Sequence, residues 1–476
     1  MLLLCASASH HTRFIVSNMQ SFALISTALA AVVGSVAGQS VSGSPEGFGA
    51  GTTGGAAGET VTPTSTDELV NYLTAEEAYT IIIDQEFDFT GTEGTTTETG
   101  CAPWGTDSAC QLAINANDWC GDYQSGAGAV EVTYDVAGTS AIDVASDKTI
   151  LGVGSSATIK GKGLRLANGV SNVIIQNIAI TELNPQYVWG GDAITLDGSS
   201  NVWIDHVKIS RIGRMFLVTG YNANTGVTVS NSEFDGQTDW SASCDGYHYW
   251  TLFFIGDGDE ITFKNNYVHH TSGRSPKVDT GSFVHVVNNY WYENSGHCFE
   301  GEGGYALVEG NTFESVNAME SDWAGAMLAS ASDISACADA IGRECMANAY
   351  TDSPDMEFED TSVLDKFGGA DAADAVDAAS AKEAASAAGN TLSVSGGSSD
   401  SGSGTSTGSG SSSSNSTASW NTTAAYPVES SAAASSKLPV SLSTAAVPSA
   451  TASAAPVPAP GQEEGDGDCE VQLIYV

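Results

Sequence analysis

Six stretches decide the fold: VIIQNIAI (173–180), VWIDHVKI (202–209), VTVSNSEF (227–234), ITFKNNYV (261–268), VHVVNNYW (284–291) and ALVEGNTF (306–313). Each places apolar residues at alternate positions, then a polar residue or glycine, then another apolar residue. The alternation predicts strands. The fifth positions are Asn177, His206, Asn231, Asn265, Asn288 and Gly310, which lie 29, 25, 34, 23 and 22 residues apart. Irregular spacing above a floor near 22 predicts coils of a solenoid, with loops of varying length on one side. A parallel β-helix fits best, with the fifth-position asparagines expected to stack amide to amide from coil to coil. A leucine-rich repeat would need regular leucines, and a β-sandwich would need hairpin turns such as Asn-Gly; neither is evident.

Outward from this core the composition changes. Residues 393–476 form a tail whose bulk, 393–460, is Ser, Gly, Thr, Ala and Pro. It lacks the apolar surface to offset its ordering entropy, so disorder and O-glycosylation are expected, with sequons at Asn415 and Asn421. Just before it, residues 370–390 are rich in helix formers and end in Gly389-Asn390, predicting a helix over one end of the solenoid. At the other end, residues 1–38 read as an N-terminal extension plus signal peptide. Met19 is an alternative start, Val36-Ala37-Gly38 carries the cleavage spacing, and the mature chain is expected from Gln39 or Ser40. Residues 39–392 remain as one ordered domain. No other apolar run approaches a membrane span.

The formal net charge is −42, from 57 acidic and 15 basic residues. A nucleic-acid partner is excluded, since phosphate binding needs a basic face. An anionic polysaccharide is repelled at long range, whereas a neutral polymer is not. Besides Cys5, the cysteines are Cys101, Cys110, Cys120, Cys244, Cys298, Cys337, Cys345 and Cys469. Zinc competes with disulfides, but no CxxC pair occurs, and an exported chain should pair most of them. Spacing alone does not give the connectivity.

Against the acidic background, ten of the 15 basic residues fall between Lys148 and Lys277. Among them are Lys208, Arg211, Arg214, Lys264, Arg274 and Lys277. Arg274 and Lys277 lie in TSGRSPKVDTGS (271–282), around Ser275 and a stiff Pro276. Arg214 follows the strand at 202–209, and Asp192 in VWGGDAITLD precedes it by one coil. Cations with one carboxylate can bind a sugar acid or stabilise developing negative charge; a structural ion-pair group explains them equally well. Trp104, Trp119, Trp189, Tyr249 and Trp250 supply faces on which sugar rings stack, although any single tryptophan is more often core.

The motifs GFGAGTTGG, GCAPWGTDSACQ, KGKGLRL, NPQYVWGGDAI, VWIDHVKISRIGR, SCDGYHYW, HHTSGRSPKV and SGHCFEGEGGYALVEGN run in order over about residues 40–320. Together they resemble fungal-type pectin lyases, of the family that includes pectate lyases. The likeness extends to about residue 390. It implies an all-β, single-stranded, right-handed parallel β-helix with a loop-lined cleft and a short C-terminal helix. It implies β-elimination on methyl-esterified galacturonan, without metal or other cofactor. Residue by residue, Arg274 matches the proton-abstracting base, with Lys277, Arg214 and Asp192 completing the site. Trp104, Trp119, Trp189, Tyr249 and Trp250 match the cleft lining. Arg214 matches ground where pectate lyases hold calcium. The implied disulfides are Cys101–Cys120, Cys110–Cys244 and Cys337–Cys345. Cys298 departs from the pattern and, with Cys469, is left over, either free or joined to it. Arginine ordinarily keeps its proton, so the variant in which Arg274 aligns a water or hydroxide stays open. A monomer, secreted and acting on pectin by endo cleavage, is expected. The competing readings are a calcium-dependent pectate lyase and a non-catalytic wall-binding β-helix.

Overall fold

The computed structural model describes residues 39–279, 281–329, 335–369 and 372–392. The expected signal peptide, Cys469, both sequons and the tail from residue 393 therefore lie outside the described residues.

The six stretches become strands that stack in parallel, in register, coil upon coil. One ladder runs Tyr79–Ile83, Lys148–Gly152, Ser171–Gln176, Ser200–Asp205, Thr225–Ser230, Glu260–Lys264 and Phe283–Val287. A second runs Glu86–Asp88, Thr158–Lys160, Ala179–Leu183, Lys208–Ile212, Glu233–Asp235 and Tyr267–His269. A third runs Ile142–Asp143, Leu164–Ala167, Ile194–Asp197, Leu217–Thr219, Leu252–Phe254 and Lys277–Val278. All three continue into Tyr290–Glu309. This is a parallel β-helix.

Register explains the core. Val173, Val202, Val227, Ile261 and Val284 form one column, and Ile175, Ile204, Val229, Phe263 and Val286 the next. All are buried. Branched side chains that repeat every second residue meet their counterparts in the coils above and below, so period two along the chain becomes continuous apolar contact along the axis.

The intervening positions of the first ladder are buried too, because a strap from the N-terminal side covers them. Thr228 and Thr262 accept from the N–H groups of Gly49 and Phe48, and Thr149 from that of Gly55. This accounts for the glycines of GFGAGTTGG. A Cβ on Gly47, which sits at φ +65°, would lie 2.2 Å from Thr262 Oγ1; one on Gly55 would lie 1.8 Å from the Tyr79 carbonyl oxygen. Only glycine allows such close approach of a strap to a sheet.

The asparagine expectation needs correction. Positions 177, 206, 231, 265, 288 and 310 share a left-handed backbone, with φ from +49° to +63°. Asn and Gly are favoured there because they tolerate that turn. The amide-to-amide ladder lies one residue later. Asn266 Nδ2 donates to Asn289 Oδ1, Asn289 to Asn311 and Asn311 to Asn348, each at 3.0 Å.

The C-terminal helix is also shorter than its composition suggests, spanning Ala378–Ala385 with Asp377 as N-cap. Upstream, Val376 exchanges hydrogen bonds with the Asn288 side chain. Beyond the helix, Gly389 N–H reaches the Asn231 carbonyl and Leu392 N–H reaches Asn177 Oδ1. The segment thus runs along the flank over the left-handed turns instead of closing an end. An N-terminal helix unforeseen in the sequence, Thr66–Thr74, packs Leu69 and Leu73 onto the first coil. It is capped by Ser65 accepting from Glu68 N–H.

Candidate active site

The third ladder sets the site. Its register pairs Ile194 with Leu217, Leu217 with Leu252, Phe253 with Lys277, and Lys277 with Glu300. Asp192, Arg214, Trp250 and Arg274 all lie two or three residues before these strands, on successive coils. Coils rise about 4.8 Å each, so Arg214 and Arg274 stand about two coils apart with Trp250 between them.

The nominated residues form two groups. In the first, Arg214 Nε and Nη2 donate to the two oxygens of Asp192 at 2.8 and 2.6 Å, and Met215 N–H adds a bond of 2.9 Å to the same carboxylate. The guanidinium lies 4.2 Å from the Trp189 ring centre. In the second, Arg274 lies over Trp250 at 4.8 Å and Phe253 at 5.0 Å. Its Nε is 3.3 Å from Glu300 Oε1, and Lys277 Nζ is 3.5 Å from the same oxygen. Lys277 also faces Asp279 at 3.4 Å. Arg274 itself is held at φ +47° and Trp189 at φ +69°, uncommon for residues of this size and typical of sites where geometry is imposed.

The aromatic wall comes from an insertion. An antiparallel pair, Thr95–Ala102 with Gly128–Asp135, supports the segment bearing Trp104 and Trp119. The disulfides Cys101–Cys120 and Cys110–Cys244 pin it, and Cys337–Cys345 forms as well, so all three implied pairings hold. Trp104 meets Trp250 at 5.9 Å, and Trp119 meets Trp189 at 6.1 Å, ring centre to ring centre. A cleft of about 460 Å³ is lined by Trp104, Trp119, Tyr249, Trp250, Arg274 and His297, among others. Asp192, Arg214, Lys277 and Trp189 stand behind or beside this lining. Cys298 is buried and free among the described residues.

Several cations singled out by sequence lie elsewhere. Lys208 pairs with Glu233 and Asp235, Arg211 with Glu182 and Asp239, and Lys264 with Glu46. For these the structural ion-pair explanation is correct. Glu233, Asp235 and His269 are close enough to share a cation, but Lys208 Nζ already stands 2.9 and 3.1 Å from the two carboxylates.

Other residues were missed. Glu300 gathers Arg274, Lys277, Tyr249 and His297 around one carboxylate. Burial opposes its charge, but the His297 hydrogen bond and the two cations outweigh burial and hold it below the usual glutamate range. Burial, then the Glu300 charge, push the Tyr249 phenol up despite Arg274. His248, stacked on Phe216, brings Nε2 to the carbonyls of Arg214 and Trp250 at 2.8 and 3.1 Å. Its surroundings press its pKa down to about 4, burial outweighing those two bonds, so it is a neutral donor joining both halves of the site. Gln111 ties Trp250 Nε1 to the Gly213 carbonyl, at 3.0 and 2.7 Å.

Comparison with known proteins gives the family. A family model described as pectate lyase matches residues 21–393. Probable pectin lyase A of Aspergillus oryzae is 56% identical over 358 residues, covering 74% of this chain and 94% of that protein. Pectin lyase A of Emericella nidulans is 54% identical over 361 residues, covering 75% and 95%. Among solved structures, pectate lyase Bsp165PelA from Bacillus sp. N165 in complex with trigalacturonate matches with TM-score 0.47 and 17% identity, covering 74% of this chain and 99% of that one.

Proposed function

The chain belongs to the pectate lyase family, and from that premise we infer that it is a pectin lyase, cleaving methyl-esterified α-1,4-galacturonan by β-elimination. The observation that carries this reading over a calcium-dependent one is the Asp192–Arg214 pair. Both oxygens of that carboxylate already bind a guanidinium, so a fixed positive charge is built into the coil edge.

The chemistry follows from the substrate. The ester carbonyl at C6 acidifies the proton on C5. Removing that proton breaks C5–H, the electron pair forms the C4–C5 double bond, and the glycosidic oxygen on C4 leaves and takes up a proton. Negative charge develops towards the ester carbonyl. Arg274, which lines the cleft, takes the C5 proton or holds the hydroxide that takes it. Lys277 and Arg214 stabilise the developing charge, in a cleft whose aromatic walls exclude water and strengthen the interaction. Trp104, Trp119, Tyr249 and Trp250 offer faces to the sugar rings. The net charge of −42 suits an uncharged, esterified polymer.

Export, a monomeric state and endo cleavage belong to the same proposal. Supporting export are the apolar stretch after Met19 and three disulfides among the described residues. Supporting endo cleavage is the solenoid, along which a polymer can lie at any register.

The test is near-ultraviolet absorbance of unsaturated uronide on highly esterified pectin with chelator present. A rising signal is expected. A signal confined to de-esterified polymer with calcium restored would overturn the reading in favour of a pectate lyase, and none on either polymer in favour of a binding protein.

A further inference from the structure

We propose that Glu300 is the positioning residue of this active site: its carboxylate, clamped by His297, sets the guanidinium of Arg274 and the ammonium of Lys277 at the cleft. The inference rests on the reading of Arg274 and Lys277 given above.

The geometry comes from the β-helix register. Glu300 is the direct strand neighbour of Lys277, one coil on, and its backbone N–H bonds the Pro276 carbonyl at 3.2 Å. Its backbone is therefore fixed to the loop that carries both cations. The side chain is mostly buried, at 12% exposure. Oε1 faces Arg274 Nε at 3.3 Å and Lys277 Nζ at 3.5 Å. Oε2 accepts from Tyr249 Oη at 3.2 Å and faces His297 Nε2 at 2.6 Å. One carboxylate thus fixes two cations, one cleft-lining phenol and one cleft-lining imidazole. A guanidinium is a rigid, planar charge, and Trp250 and Phe253 fix its plane from the faces. Its Nε is buried without a hydrogen-bond partner, so Glu300 acts on it as the opposite charge 3.3 Å away. Tyr249, itself bonded to Glu300, is its other polar neighbour.

Among the described residues, Glu300 is also the one negative charge that both cations share, at 3.3 Å from Arg274 and 3.5 Å from Lys277; Asp279 faces Lys277 alone, at 3.4 Å. Replacing the carboxylate by an amide removes that charge while leaving His297 and Tyr249 in place. Loss of the proton from Arg274 or Lys277 then becomes easier. If turnover needs a neutral Arg274, its acid limb moves to lower pH; if it needs both groups charged, its alkaline limb does. The kcat profile moves towards acid in either case.

The experiment compares wild type, Glu300→Gln and Glu300→Asp on esterified pectin, reading kcat, KM, the pH dependence of kcat and the melting temperature. The expected result is a kcat loss on the order of 100-fold in Glu300→Gln, the scale of a catalytic group misplaced by about 1 Å. KM should change little, the pH profile should move towards acid, and Glu300→Asp should recover part of kcat. Should Glu300→Gln fail to fold, His297→Gln replaces it, with kcat reduced in a folded protein as the expected result. A folded variant with kcat within about twofold of wild type and an unmoved profile would overturn the assignment, as would a lower melting temperature alone. An inactive wild type would instead sink the functional reading.

Discussion

At the scale of single residues, the site is two guanidinium groups held in two different ways. Arg214 is committed to Asp192 by paired hydrogen bonds, whereas Arg274 has aromatic faces around it and one carboxylate beside Nε. The more adjustable of the two is the one to which the proposed reaction assigns the C5 proton. Arg274→Gln should lose nearly all activity, at least about a thousandfold, the loss expected when a base or charge stabiliser is removed. Its circular dichroism and melting temperature should stay near wild type; wild-type turnover in the folded variant would refute the role. Arg274, Lys277 and Arg214 were legible in sequence because basic residues stand out in a chain with 57 acidic ones, and Asp192 because its motif carries a family resemblance. Glu300 had no such contrast. One more acid in an acidic chain is silent until the register shows which cations it faces. His248 was silent for another reason: the carbonyls it joins belong to residues 214 and 250, distant in sequence except through the coils.

At the scale of elements, period-two alternation foretold the strands because each inward side chain meets a like residue in the adjacent coils. The same alternation says nothing of what covers the outer face. The strap over Thr149, Thr228 and Thr262 was present in sequence only as unexplained glycines. Gly55→Ala should destabilise the domain by about 1–3 kcal/mol, the usual cost of forcing a methyl group into a packed contact; the check is chemical denaturation, and an unchanged midpoint would mean the strap can lift away. The asparagines show how a correct pattern can take the wrong cause. The fifth-position residues recur because the chain turns left-handed there, and the hydrogen-bonded ladder belongs to their neighbours. In Asn289→Ala, the Asn266 N–H loses its Oδ1 partner and the Phe263 carbonyl its Nδ2 partner, whereas Asn266 Nδ2 keeps the Val229 carbonyl and Asn311 Oδ1 keeps the Asn289 N–H. The expected cost is about 1–3 kcal/mol, the desolvation penalty of a buried group left without its partner. Asn288→Gly, which keeps the left-handed turn but loses the bonds to Val376, should instead loosen the C-terminal segment, read as faster amide exchange or proteolysis near residue 376 with the coils intact.

At the scale of the whole molecule, buried titrating groups set how stability varies with pH, and they act against one another. Glu309 is held at about 2 because the bonds from His285 and Arg343 outweigh its burial. Its stabilisation is complete above its ordinary 4.5 and is lost as pH falls through about 2, a total of about 3 kcal/mol at 1.36 kcal/mol per unit. Burial raises Asp259 from 3.8 to about 6, so its contribution is complete below 3.8 and is lost as pH rises through 6. Burial lowers His248 from 6.5 to about 4, so its contribution is complete above 6.5 and is lost as pH falls through 4. The last two shifts span nearly the same window with opposite slopes and similar size, about 3 kcal/mol each. These two contributions should therefore largely cancel between about pH 4 and 6 in wild type, leaving the smaller slope of groups such as His270, which burial also lowers. Asp259→Asn removes one arm of the balance while leaving a hydrogen-bonding amide among Thr219, Asn224 and Ser282. In that variant the unfolding free energy should climb across the window by up to about 3 kcal/mol, with His248 unopposed. Denaturant titrations at a series of pH values read this directly. A flat profile in Asp259→Asn would mean that His248, the group joining the Arg214 and Trp250 backbones, titrates as it would in water, and is not the neutral donor that its burial requires.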